Sequence, residues 1–298
     1  MVKPAATEDA ASCIVCGAAR EPDSETADVR SNVRAYRDER FAVWRCKQCR
    51  SIHARDEVDL AYYYADYPFH KLGNKETDWM LRAMYRNQLG RLTGAGFAKD
   101  KSLLDYGCGS GAFLKFLKEE GFEDLAGYDE YSEGYADKSV LNRQYDCVMT
   151  QDLIEHVPEP LEIVKTLHAL CKPGGIIAIG TPNAESIDLK NPEPRVHTLH
   201  QPYHRHILSK TALQTLGQDL GWKLLAYHPN MYANTRLPFA NSAFLDWYFR
   251  CYDNNCDLVA EPIKASSLKL FSPVTLVHAF FGSFYAPESD VTAVFQRP

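Results

Sequence analysis

The chain has 298 residues, enough for one large domain plus an appendage. Its composition, with 45% hydrophobic and 24% charged residues, excludes a disordered or fibrous protein. A net charge of −6 argues against nucleic acid as the main partner, because phosphate binding leaves a basic footprint. No charged-then-apolar leader opens the sequence and no uninterrupted apolar run is long enough to span a bilayer, which predicts a cytoplasmic protein without a membrane span. The apolar stretch 268–285 is broken by Pro273 and His278 and reads as core or pocket wall.

Two cysteine pairs stand at the front, Cys13 with Cys16 and Cys46 with Cys49. Two residues between thiolates let both sulfurs face one ion, and four thiolates suit a tetrahedral zinc with a closed, structural shell. The polar segment 21–38 and an apolar strand over 41–44 lie between the pairs. This is the layout of a zinc ribbon with a long first loop, placed at 1–57. His53 follows closely and is read as a bystander. The other five cysteines (Cys108, Cys147, Cys171, Cys251, Cys256) are scattered and behave as small hydrophobes. A connector or lid spans 58–98: tyrosines at 62–64 and 67, then a helical pattern over 79–92 ended by Gly94 and Gly96. The tyrosines either pack the ribbon onto the main domain or cover a ligand.

From residue 99 the pattern alternates strand and helix, the mark of a doubly wound parallel sheet. Strands are expected at 103–106, 125–128, 145–149, 176–180, 222–227 and 290–296, and helices at 112–120, 160–170 and 211–220. Between Asp129 and Tyr145 there is room only for a stub of helix (133–138) and a stub of strand (139–141). The long aromatic segment 231–286 is read as a helical cap over the substrate, with extra core or a homodimer surface as the alternative. Asn230, Asn234, Arg236 and Asn241 offer hydrogen bonds to a polar substrate.

Three motifs occur in order. Leu103-Leu104-Asp105-Tyr106-Gly107-Cys108-Gly109-Ser110-Gly111 is a buried run ending in an acid and a glycine turn. Tyr145-Asp146-Cys147-Val148-Met149-Thr150-Gln151-Asp152-Leu153-Ile154-Glu155-His156 carries a Glu-His pair after a strand, and Lys172-Pro173-Gly174-Gly175 follows a helix. Over about residues 100–230 this set resembles class I S-adenosylmethionine-dependent methyltransferases. With the cysteine pairs, the tyrosines and His204-Arg205-His206-Ile207-Leu208-Ser209, it resembles a bacterial branch with an N-terminal zinc-binding domain. Relatives there include small-molecule and sugar methyltransferases.

The resemblance implies an α/β Rossmann-like fold, a mostly parallel seven-stranded sheet whose last strand is antiparallel. It also implies S-adenosylmethionine as cofactor. Asp105 and the turn Gly107, Cys108, Gly109 and Gly111 would hold the methionyl end, and Asp129 the ribose hydroxyls. With the third strand cut short, Gln151, Asp152 and Leu153 stand in for the adenine contact. The turn is not the GxGxxG of dinucleotide binders, whose helix N-terminus receives a pyrophosphate.

Transfer to an oxygen needs an aligned acceptor and a group to take its proton, and histidine suits that near neutral pH. The candidates are His204 first, then His156 and His206, with His197 and His200 close by. His156 is equally readable as a loop buttress. The expected activity is O-methylation, with carbon as the alternative acceptor, of a small or carrier-linked metabolite of sugar or secondary-metabolite type. An RNA or protein methyltransferase gripping its substrate with the ribbon is one alternative. A non-catalytic cofactor-binding protein, suggested by the short Asp129–Tyr145 link, is the other.

Overall fold

The computed structural model describes residues 12–69, 78–261 and 272–298. At the front, β1 (Thr26–Arg30), β2 (Arg40–Arg45) and β3 (Ile52–Ala54) form an antiparallel meander. Two helices follow, α1 (Leu60–Tyr64) and α2 (Trp79–Gly94). Asp78 caps α2 by accepting the Leu81 amide at 2.8 Å.

The alternating region gives β4 (Leu103–Tyr106), α3 (Ala112–Glu119), β5 (Leu125–Tyr128), β6 (Tyr145–Gln151), α4 (Pro160–Leu170) and β7 (Cys171–Pro182). Next come α5 (Val196–Leu199), the two-residue β8 (His206–Ile207), α6 (Lys210–Asp219) and β9 (Lys223–His228). Last are α7 (Ser242–Cys251), α8 (Pro273–Phe281) and β10 (Asp290–Gln296).

The main sheet has six strands in the order β5-β4-β6-β7-β10-β9. The first four run parallel, and β10 is antiparallel to both neighbours. The expected seventh strand is corrected: 133–135 is turn and 138–142 is a 3-10 turn, so among the described residues no strand forms beyond β5. The link has too few residues for a helix and a returning strand before β6 must begin. A cleft of about 480 Å³ lies along that side of β5, lined by Ala126, Gly127, Tyr135, Val140 and Arg143 among others.

Successive side chains of a strand point to opposite faces, and the core divides accordingly. Leu103, Cys147, Met149, Ile176, Ala178 and Val294 pack with Phe113, Phe116 and Leu117 of α3 and Leu92 of α2. Leu104, Val148, Ile177, Ile179, Ala293 and Phe295 pack with Val164 and Leu167 of α4 and Leu213 of α6. Each fully buried aliphatic side chain contributes about 1.5–3 kcal/mol.

The front meander is not a separate body. The short β8 pairs with β3 through Ile52–Ile207 and His53–His206, completing a four-stranded sheet β1-β2-β3-β8. Val29, Val43 and Ile52 pack on Ala184, Ile187, Leu189 and Leu199. The Arg45 guanidinium is buried, donating to the carbonyls of Ala184 and Ile187 and to Glu25.

Of the reading of 268–285 as core or pocket wall, the core half is corrected for the described residues. Residues 268–271 lie outside the described residues. On α8 and the turn after it, Val274, Val277, Phe281 and Phe284 are half or more exposed. Helical spacing places only Thr275 and Ala279 of α8 inward. No helix among the described residues is long and apolar enough to cross a membrane.

Candidate active site

After β4 the chain turns sharply, held by the amides of Gly107 and Cys108 donating to the Tyr128 carbonyl at 2.7 and 3.2 Å. Gly107, Gly109 and Gly111 have φ of 86°, 54° and 72°, where other residues are strained. A Cβ on Gly107 would meet Leu153 Cδ2 at 2.7 Å, so Leu153 packs directly on the turn. A Cβ on Gly109 would meet nothing within 4 Å, so this backbone is open to a ligand. The Tyr135 ring fills the place where a side chain on Gly111 would sit.

Carboxylates surround this turn. Asp129, after β5, accepts the Gly109 and Tyr131 amides at 2.9 Å each. Burial, and then the Asp129 charge, pushes the Asp105 carboxyl up to about 7. Asp152 follows β6 at φ 53°. Burial and the neighbouring Asp290 raise it to about 7, against the opposing hydrogen bond from Gln151. Burial raises Asp290, at the start of β10, to about 6. Burial and mutual repulsion thus favour the protonated forms of these acids unless a cation balances their charge.

Three side chains that the sequence reading missed close the site. Gln88 of α2 donates to Gln151 Oε1 at 3.3 Å, while its own Oε1 is buried without a partner. Tyr85 of α2 feels the Asp105 charge. Tyr232, from the 231–286 segment, is raised by burial first and then by Asp152, Tyr85, Asp290 and Asp105. One signal was available: Gln88 falls in helical register with Met84 and Leu92 on the buried face of α2.

The histidines divide. His156 and His204 meet edge-to-face with ring centroids 4.7 Å apart, and His200 lies 4.9 Å from His204. His204 Nδ1 is 2.8 Å from the Thr198 carbonyl, so Nδ1 carries the proton and Nε2 the lone pair. His156 Nδ1 is 3.2 Å from the Tyr64 hydroxyl. Burial holds His156 at about 4, against the pull of the Tyr203 carbonyl. Burial and the other two rings hold His204 well below the ordinary histidine value. Both are neutral at pH 7. Glu155 is buried beside them, Oε2 accepting from Thr181 at 3.0 Å and Oε1 without a partner.

His206 is elsewhere. In β8 its Nδ1 faces His53 Nδ1 at 3.1 Å and its Nε2 the Pro158 carbonyl at 3.2 Å. His200 is engaged by Asn32 and Tyr67, and His197 faces Asp246 at 3.6 Å. Asn241 caps α7 and donates to the carbonyls of His278 and Ala279, a structural use of all its polar atoms. Of the tyrosines, Tyr63 is core and the Tyr64 hydroxyl reaches His156.

Cys13, Cys16, Cys46 and Cys49 place their sulfurs within 4.8 Å of one another. Two matching turns present them. Gly17 donates to the Cys13 carbonyl and Arg50 to that of Cys46, with φ of 73° and 64° at Gly17 and Arg50. The Cys13–Cys49 and Cys16–Cys46 sulfurs are 3.5 and 3.6 Å apart. A tetrahedral shell with metal–sulfur bonds of about 2.3 Å has edges of about 3.8 Å, so the four can share one ion. His53 is closer than a bystander: its Nε2 lies 3.1 Å from Cys13 Sγ.

Residues 81–227 match the family model for a methyltransferase domain. These residues form a methyltransferase domain. The chain is similar to the ubiquinone biosynthesis O-methyltransferase of Coxiella burnetii, 32% identical over 106 residues, covering 28% of this chain and 45% of that protein. It is likewise similar to the protein of that name from Serratia proteamaculans, 30% identical over 111 residues, covering 30% and 46%. The chain thus spans about half the length of the curated relatives it matches. Among solved structures it is similar to a SAM-dependent methyltransferase from Archaeoglobus fulgidus, with TM-score 0.46, 18% identity, and 79% and 99% of the two chains covered. It is also similar to the N-methyltransferase NodS from Bradyrhizobium japonicum in complex with S-adenosyl-L-homocysteine, with TM-score 0.43, 12% identity, and 80% and 100% covered. The strand order of the methyltransferase domain puts its glycine turn at the carboxyl ends of β4, β5 and β6, the ligand edge of a doubly wound sheet.

Proposed function

We propose that the protein transfers a methyl group from S-adenosylmethionine to a hydroxyl oxygen of a small or carrier-linked metabolite of sugar or secondary-metabolite type. The observation that carries this reading is a pair of buried, neutral histidines beside a glycine turn lined with carboxylates. The name of the curated relatives, ubiquinone biosynthesis O-methyltransferase, supports oxygen as the acceptor and a small molecule as the substrate.

Asp105, the Gly107–Gly111 turn with Cys108, and Asp129 are the residues we assign to the cofactor, with Gln151, Asp152 and Leu153 at its other end. Their donor set suits a ligand carrying an ammonium and a sulfonium, and the orphaned Gln88 Oε1 suits a polar edge. The cofactor supplies an activated methyl group. The chain's own task is to exclude water, align the acceptor and hold its proton. His204 Nε2 is the favoured proton acceptor, with His156 as its neighbour. His206, with both ring nitrogens turned to His53 and Pro158, is set aside. The four cysteines we assign to structural zinc in a ribbon over 1–57. The connector is 58–98 and the catalytic domain 99–298, with 231–286 as its cap.

His204→Ala is expected to lower turnover at least about 100-fold while S-adenosylmethionine affinity stays within about twofold. The assay is transfer of labelled methyl from S-adenosylmethionine into fractionated metabolite pools. Unchanged turnover would remove His204 from the chemistry.

Cofactor binding is also expected to depend on pH. In the free protein Asp105 and Asp152 hold protons up to about pH 7. A bound cation favours their ionised forms, so binding releases protons. Affinity should be full above pH 7 and fall as pH drops below it, by about tenfold per pH unit for each group that must ionise. Calorimetry at pH 6 and pH 8 in two buffers of different ionisation enthalpy reads both affinity and proton release. Equal affinity with no proton release would sink the assignment.

A further inference from the structure

Glu155, His156 and His204 each offer one ligand atom, and these atoms lie within 4.8 Å of one another. The three come from two separate segments: Glu155 and His156 follow β6, and His204 lies in the loop before β8. They share no residue with the cysteine cluster.

The groups around them leave one coordinating atom free on each of two side chains. Glu155 is 1% exposed, its Oε2 accepts from Thr181, and its Oε1 has no partner. A buried carboxylate oxygen with nothing opposite it is costly unless a cation is present. His204 donates from Nδ1 to the Thr198 carbonyl at 2.8 Å, which turns the Nε2 lone pair the other way. That is the outer-shell bond that metal-bound imidazoles make. The third, His156, has Nδ1 against the Tyr64 hydroxyl at 3.2 Å.

We infer that Glu155, His156 and His204 form a second metal site, for a divalent transition ion of the zinc, iron(II) or cobalt(II) kind, with coordination positions left for the hydroxyl of the acceptor. Two imidazoles and one carboxylate select such ions over magnesium or calcium, which take oxygen shells. Three protein ligands leave the shell open, as in catalytic rather than structural centres. Metal–ligand bonds of about 2.0–2.2 Å place ligands about 3.0–3.4 Å apart, so side-chain rotation must draw the three inward by about 1 Å or more. This inference deepens the reading of the site as a hydroxyl methyltransferase. With an ion bound, His204 would be its ligand in place of the direct proton acceptor proposed above: the ion would lower the pKa of the hydroxyl, whose proton passes to water before the site closes over it.

Cobalt(II) reconstitution of the full chain tests it, because the two sites have different spectra. Metal is stripped with a chelator under reducing conditions, and Co²⁺ is titrated back. The expected result is two equivalents. One shows the intense near-ultraviolet charge transfer of thiolate ligands. The other shows weak visible bands only. Glu155→Gln and His204→Gln should each weaken the second equivalent at least tenfold and leave the first in place, the thiolate band then reporting that the chain is folded. A single equivalent in the wild type, or a second one unaffected by both substitutions, overturns the site. Calorimetry with S-adenosylmethionine on the same preparation separates the two claims. Cofactor binding with one cobalt leaves direct proton transfer to His204. Two cobalts without cofactor binding would sink the methyltransferase reading and keep the metal site.

Discussion

Cys46→Ser is expected to empty the cysteine cluster of metal and lower stability by roughly 3–5 kcal/mol, a fall of about 10 °C in Tm. The effect is large because the cluster is embedded. Cys13, Cys46 and Cys49 share a hydrophobic cluster with Trp44, Ile154 and Leu208. Ser209, which caps α6 by accepting the Ala212 amide, also donates to the Cys49 carbonyl. Loosening one knuckle therefore loosens a helix of the main domain. Metal analysis and a thermal melt read the two effects, and a metal-free variant with wild-type Tm would refute the ribbon.

Asp129→Ala is expected to weaken S-adenosylmethionine binding by roughly 100-fold, about 3 kcal/mol, in line with the loss of charged hydrogen bonds. In the free protein its two oxygens hold the amides of Gly109 and Tyr131. The substitution frees the turn and, on the proposed assignment, also removes a contact to the cofactor. Asp129→Asn keeps one acceptor oxygen and should lose less. Calorimetry of both variants gives the order, and wild-type affinity in Asp129→Ala would take this residue out of the cofactor site.

Much of this was legible in the sequence because local rules governed it. The buried run ending at Asp105 and the glycine turn gave β4 and the start of α3, and the strand at 290–296 was placed to the residue. The alternation of strand and helix gave the parallel half of the sheet. What escaped was decided over long distances. A two-residue strand has no pattern of its own, so the sequence hides the pairing of His53 with His206 and leaves His206 among the candidate bases. Helical periodicity marked α2 but not what its Gln88 would face. Glu155 was placed as a partner of His156, yet its approach to His204 depends on a loop almost fifty residues later. The seventh strand was expected from the family pattern, although the short Asp129–Tyr145 link already argued against it.

The shared front sheet sets an order of events during synthesis. β3 ends at Ala54, but its partner β8 begins only at His206. A ribosome adding about 5–20 residues per second needs roughly 8–30 s to make the intervening chain. All four cysteines emerge early in that interval, so an ion can be captured long before the sheet has its last strand. On the proposed zinc assignment, the front of the nascent chain would then wait as a three-stranded, metal-clipped unit with the β3 edge unpaired, and metal supplied at that stage would hold that edge in place for β8.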